Sequence, residues 1–153
     1  MITETKPLMD NKQLAHRFMD ECWNLGKLDC VRELISEDCR IHDPVFPSLT
    51  SGAANMMRHI ALCRSGFPDL NFTIDDTVAE HSEVVLHWTA QGTHQALFLG
   101  IPPTNRKVTV SGTSIYRIEN SQIVEIWADW NLMTLMQQLG VSTTPKVEAR
   151  TNA

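Results

Sequence analysis

No apolar run in this chain approaches the roughly 18 residues needed to cross a bilayer, and residues 1–10 lack an apolar signal core. Neither membrane spanning nor secretion is expected, and a cytoplasmic location is. No basic run exceeds two residues, and the net charge is -5. Phosphate neutralisation needs clustered Lys and Arg, so nucleic acid is excluded as an expected partner. None of the four cysteines, Cys22, Cys30, Cys39 and Cys63, forms a Cys-x-x-Cys pair, and no two histidines have a metal-ligand spacing, so no metal site is expected. Reduced core thiols are the simpler reading. There is also no glycine-rich phosphate loop, no Gly-x-Ser-x-Gly elbow and no dinucleotide fingerprint.

What is present suits one domain. The 153 residues, 42% hydrophobic and 20% charged, are enough for a single core, since a chain of this length buries about two-thirds of its unfolded surface. Leu14, Phe18 and Cys22 at fourfold spacing, with Met19 and Trp23 beside them, predict a helix over 11–23, capped by Asp10. A second helix is expected over 28–35, then a short strand over 39–43 stopped by Pro44, and a loop over 44–51. A third helix over 53–64 carries Met56, Met57, Ile60, Ala61 and Cys63. Alternation then predicts strands over 70–74, 84–90, 108–118 and 123–131, with a hairpin turn over 119–122 and a last helix over 132–139. Residues 8–141 form the expected domain, and 1–7 and 142–153 are expected to be disordered tails. Helices followed by an antiparallel meander make an α+β pattern.

Five pieces in order carry a family likeness. They are Trp23-Asn24 with Gly26; His42-Asp43-Pro44; Phe67-Pro68-Asp69; the stretch from Trp88 through Gly92-Thr93-His94 to Phe98 and Pro102-Pro103-Thr104; and Ser111-Gly112-Thr113-Ser114-Ile115-Tyr116 followed by Glu125 and Trp127. Over about residues 11–140 the chain resembles the SnoaL-like polyketide cyclases, or ester cyclases. The resemblance implies a cone-shaped, cystatin-like fold shared with nuclear transport factor two, ketosteroid isomerase and scytalone dehydratase. In it a strongly bent mixed or antiparallel sheet wraps the N-terminal helices. It also implies ring closure of a polyketide ester by intramolecular aldol condensation, without metal or organic cofactor, and an acidic residue of the last strand as general acid/base. Asn131 stands where many relatives carry aspartate, which leaves Asp129.

Strand parity gives an independent reading of that hairpin. If Ile118 and Ile123 pair across a four-residue turn, Glu125 opposes Tyr116, Trp127 opposes Ser114 and Asp129 opposes Gly112, all on one face. The other face carries Ile115, Ile126 and Trp130. Either face can line the interior. The first, mixing aromatics with carboxylates, suits a pocket; the second, apolar, suits a homodimer interface on the outside of the sheet. Gly112 would then leave room for a ligand beside Asp129.

Aldol closure or enolisation needs a base beside a carbonyl, and a carboxylate in an apolar pocket has its pKa raised into a useful range. Asp129 is the expected base, and His42 and His94 are candidates to bond the substrate carbonyl or tune Asp129. Trp88, Tyr116, Trp127 and Phe98 are expected to form walls for a flat polycyclic ligand, with Ser114, Gly112 and Asn131 completing the ligand-binding set. Glu125 is expected to bond the Tyr116 phenol, Asp43 to cap the bend at Pro44, and His16, His59 and His81 to lie on the surface. Two functions follow: cofactor-free acid/base chemistry on a small apolar carbonyl or ester compound, or non-catalytic ligand binding or dimeric adaptation on the same fold.

Overall fold

The computed structural model describes residues 9–141, so the expected tails at 1–7 and 142–153 lie outside the described residues. Asp10 starts the first helix as expected: its carboxylate accepts the Gln13 backbone N–H at 2.8 Å, and Gln13 reciprocates, forming a capping box. Helix α1 (Asn11–Arg17) runs directly into a π-helical segment (Phe18–Asn24). This wider turn sets Phe18, Met19 and Trp23 along the inner wall.

Helix α2 (Asp29–Leu34) is followed at once by β1 (Ile35–His42), so that strand begins four residues before position 39. The cause is β1's partner: it pairs in parallel with β5 (Gln122–Trp130), and Ile35 aligns with Ile123. Helix α3 (Ala53–Gly66) precedes β2 (Asn71–Glu80), β3 (Glu83–Thr93) and β4 (Lys107–Glu119), and α4 (Leu132–Leu139) ends the described chain. The strand order is β1-β5-β4-β3-β2, antiparallel except for β1 with β5. The α+β architecture with a mixed sheet is thus as expected. Strand β2 runs six residues past 74 because its second half, from Asp76, pairs with β3 across a two-residue turn at His81 and Ser82.

One face of the sheet carries the core. Val84, Leu86, Trp88 and Ala90 of β3 are buried at alternate positions, and Val108, Val110, Ser114 and Tyr116 continue that face on β4. They pack under Leu14, Phe18 and Met19 from the first helix and Met56 and Ile60 from α3.

The hairpin β4–β5 departs from its predicted register. Ile118 pairs with Ile123 and the turn spans 119–122 as expected, with Asn120 and Ser121 at its centre, both at positive φ (51° and 61°). A bulge follows, however, in which Arg117 pairs with Glu125 and Val124 is the extra residue. From there on every β5 side chain is displaced by one position. Trp127 opposes Ile115, Ala128 opposes Ser114, Asp129 opposes Thr113 and Trp130 opposes Gly112. A slip of one residue exchanges the two faces of a strand.

Candidate active site

Between the concave sheet and the helices lies a cavity of about 120 Å³ with a wall that is almost wholly apolar. The bulge decides what β5 contributes to it: Ile126, Ala128 and Trp130 point in. Three ionisable side chains on the helix and loop side share this wall, namely Asp43, His59 and Cys63.

Asp43 follows directly after β1, and the proline behind it favours extended backbone at this position. The residue is 9% exposed, and its carboxylate accepts the Val45 backbone N–H at 2.9 Å and is also bonded by the Trp130 side chain. Burial nevertheless raises its pKa above the ordinary aspartate value, outweighing those donors. Met56, His59, Ile60 and Cys63 of α3 fall at helical spacing, which turns one face of that helix inward. The His59 ring sits edge-on to Phe46 and Trp23, with centroids at 4.6 and 5.6 Å. Burial lowers its pKa to about 4, so at neutral pH it is an uncharged imidazole. Cys63, one turn on, has Sγ 3.9 Å from His59 Nε2, and burial, assisted by Asp43, raises its thiol to about 12.

The sheet side supplies polar groups that are already engaged. Trp88 Nε1 donates to Ser114 Oγ at 3.0 Å, and the Tyr116 hydroxyl is directed at Met19 Sδ at 3.2 Å. Burial raises the Tyr116 pKa, which leaves the phenol fully protonated. Trp88, Ser114, Tyr116 and Phe98, four of the expected ligand-binding residues, therefore line the cavity together.

The structure separates the expected catalytic set. Asp129 is exposed and opposes Thr113 on the outer face, a consequence of the Val124 bulge. His42 is on that face too: Nε2 lies 2.8 Å from Glu125 Oε2, and the ring stacks on Trp127 at 5.3 Å. Trp127 hence points away from the cavity. Glu125 does not meet the Tyr116 phenol. It is bound by His42, Arg40 and Arg117, and the His42 bond is the main cause that holds its carboxyl below the usual range. His94 is fully buried one layer behind the wall, stacked on Phe67, with Nδ1 accepting the Thr104 backbone N–H at 3.2 Å. Asn131 is exposed and caps α4, its Oδ1 accepting the Thr134 N–H at 3.0 Å. Gly112 has a different purpose from the one expected. A Cβ there would lie 2.4 Å from Trp88 Cζ2 and 2.7 Å from Trp130 Cβ, so its bare backbone admits two indoles, not a ligand.

Two wall residues were not assigned to the site by the sequence reading. His59 was expected on the surface, although its spacing from Met56 and Cys63 put it on the buried side of α3. Asp43 was read as a bend cap, which it is; its aspect toward the cavity had no local signal. Among the described residues, no cluster of His, Cys, Asp and Glu suited to a metal ion occurs. No helix among them is long and apolar enough to cross a membrane.

A mixed sheet closing over N-terminal helices around an apolar cavity defines the α+β cone, the fold of the nuclear transport factor two superfamily. The chain belongs to the SnoaL-like polyketide cyclase family, whose model matches residues 13–139. Among solved structures it is similar to TsrD from Streptomyces laurentii, with 27% identity and a TM-score of 0.79 over 88% of this chain and 99% of that one. It is likewise similar to IdmH from Streptomyces antibioticus, with 27% identity and a TM-score of 0.77 over 87% and 100% of the two chains. AclR from Streptomyces galilaeus gives 26% identity and a TM-score of 0.73 over 84% and 94%. A search of the curated proteins gave no match.

Proposed function

We propose that this protein is a cofactor-free acid/base enzyme acting on a small apolar carbonyl or ester compound held in the cavity, with Asp43 as the proton-transferring group. The observation that carries this reading is a carboxyl with a raised pKa set in a largely apolar wall. Such a group takes a proton next to a carbonyl and returns it to the resulting enolate; for an ester substrate the enolate instead attacks a second carbonyl carbon, and the alkoxide formed on ring closure takes up the proton held by Asp43. A general base of suitable pKa contributes about 10²- to 10⁴-fold in rate. A cavity of 120 Å³ is close to the roughly 150 Å³ apolar void that admits benzene. One aromatic ring, rather than a flat polycycle, matches that volume. Polyketide cyclisation is the activity proposed for IdmH, whereas a hydroxylase activity is proposed for AclR.

A second reading, a ligand-binding module without catalysis, is favoured by one observation: the last strand offers the cavity no carboxylate, since Asp129 faces outward and Asn131 caps a helix. Exchange of α-hydrogen for deuterium in a panel of aryl ketones, followed by NMR, separates the two. The enzyme reading expects acceleration by the wild type and loss of about 10² or more in Asp43→Asn. No acceleration, or equal acceleration by Asp43→Asn, leaves the binding module. We propose further that the protein is a cytoplasmic homodimer joined through the outer sheet face, where Val85, Ile115 and Trp127 are half-buried in the single chain. The free state of all four cysteines suits a reducing compartment. Sedimentation of Trp127→Glu, expected to be monomeric, tests the interface.

A further inference from the structure

We propose that His59 is the specificity-determining group of the cavity, donating its ring N–H to the carbonyl oxygen of the bound ligand. The inference rests on the cavity being the ligand site, and it adds a second recognition element to Asp43. Among the described residues, the only group within hydrogen-bond reach of the ring is the Cys63 thiol, with Sγ 3.9 Å from Nε2. A neutral imidazole has one donor and one acceptor nitrogen. We assign the tautomer in which Nε2 accepts from the Cys63 thiol and Nδ1 carries the hydrogen. Among the described residues that N–H has no acceptor, while the ring lines an apolar cavity and is wedged between Phe46 and Trp23.

Apart from the Trp23 indole N–H, the neighbouring polar groups do not compete for the same role. The Trp88 indole and Ser114 hydroxyl bond each other, the Tyr116 hydroxyl meets Met19, and the Trp130 side chain bonds Asp43. Gln91 stands at the exposed rim. An unanswered donor in an apolar surrounding selects ligands that bring an acceptor, because leaving it unpaired costs more than pairing it gains. The ligand class is therefore a one-ring compound with a carbonyl. Phe46 also bridges the two ionisable groups: its ring meets His59 at 4.6 Å and Trp130, the partner of Asp43, at 6.5 Å. A ligand against Phe46 is accordingly within the span between the imidazole and the carboxyl.

The test uses acetophenone and ethylbenzene, matched in shape but for the carbonyl oxygen, titrated into the full chain and followed by tryptophan fluorescence and by ¹⁵N NMR of the histidine rings. The wild type is expected to prefer acetophenone by about five- to tenfold, with a shift of the His59 Nδ1 resonance on acetophenone alone. The preference is expected to vanish in His59→Phe, to survive in His59→Gln, which retains an N–H, and to survive in Trp23→Phe, which removes the adjacent indole donor. Persistence in Asp43→Asn is expected whether or not Asp43 proves to be the base, so the two readings fail separately. If the wild type shows no preference or no saturable binding, or if His59→Phe keeps the preference, the proposal is overturned. Should His59→Phe not fold, an unmoved His59 resonance in acetophenone-saturated wild type overturns it equally.

Discussion

Lowering the pH from 7 to about 4.5 drives a proton onto an imidazole that the fold holds neutral. His59 titrates near 6.5 in an unfolded chain but at about 4 in the folded one, because burial disfavours the charged ring. Between those values the unfolded chain binds more protons than the folded chain. The stabilisation is therefore fully present above 6.5 and is lost as the pH falls toward 4. Each pKa unit corresponds to about 1.4 kcal/mol, so the whole difference is about 3 kcal/mol, of which about 2 kcal/mol is lost by pH 4.5. Partial exposure of the ring to the cavity makes that figure an upper value. The assay is urea unfolding of the wild type and His59→Phe at both pH values. Other groups titrate alike in the two proteins and cancel, so the wild type should lose about 2 kcal/mol more than the variant. Parallel losses, within about 0.5 kcal/mol, would refute the claim that His59 is held neutral inside the fold.

Replacing Gly112 by Ala forces a methyl against Trp88 and the Trp130 Cβ; the variant should unfold about 1–3 kcal/mol more easily and show altered tryptophan fluorescence, whereas a neutral change would contradict the close indole approach. Asn131→Ala removes the cap of α4 and should cost about 1 kcal/mol in thermal or urea unfolding. Asn131→Asp should retain that stability and leave activity unchanged, because its side chain does not reach the cavity; a gain of activity in the exchange assay would refute this placement. Glu125, held below its ordinary pKa chiefly by His42 and then by Arg40 and Arg117, contributes stability above the unfolded carboxylate pKa that is lost as pH falls through the folded value. Glu125→Gln should flatten that part of the pH–stability curve, and an unchanged curve would show the cluster to be energetically idle.

The helices, the meander and the final turn were readable because apolar spacing and turn residues are local signals. The register of β5 was not. Ile118 and Ile123 pair as the alternation suggests, yet one extra residue, Val124, reverses the parity of all that follows. Nothing in the alternation of Ile126, Trp127, Ala128, Asp129 and Trp130 distinguishes the two faces, since both carry large apolar groups. The bulge is a property of the pairing with β4 and β1, which a single strand does not display. This one shift removed Asp129 and Trp127 from the cavity and brought in Trp130. The walls Trp88, Phe98, Ser114 and Tyr116 were legible because they precede the bulge or lie off the hairpin. His59 was legible in principle, by its helical spacing from Met56 and Cys63. Asp43 became visible only when Trp130 and the loop after β1 met in space.

The central claim is that Asp43 is a cavity carboxyl poised to exchange a proton at the bound ligand. Titration of its side-chain carboxyl carbon by ¹³C NMR, with and without acetophenone, tests this most directly. A midpoint above the ordinary aspartate value, displaced further when acetophenone fills the cavity, is expected. A midpoint at or below the ordinary value, unmoved by the ligand, would contradict it.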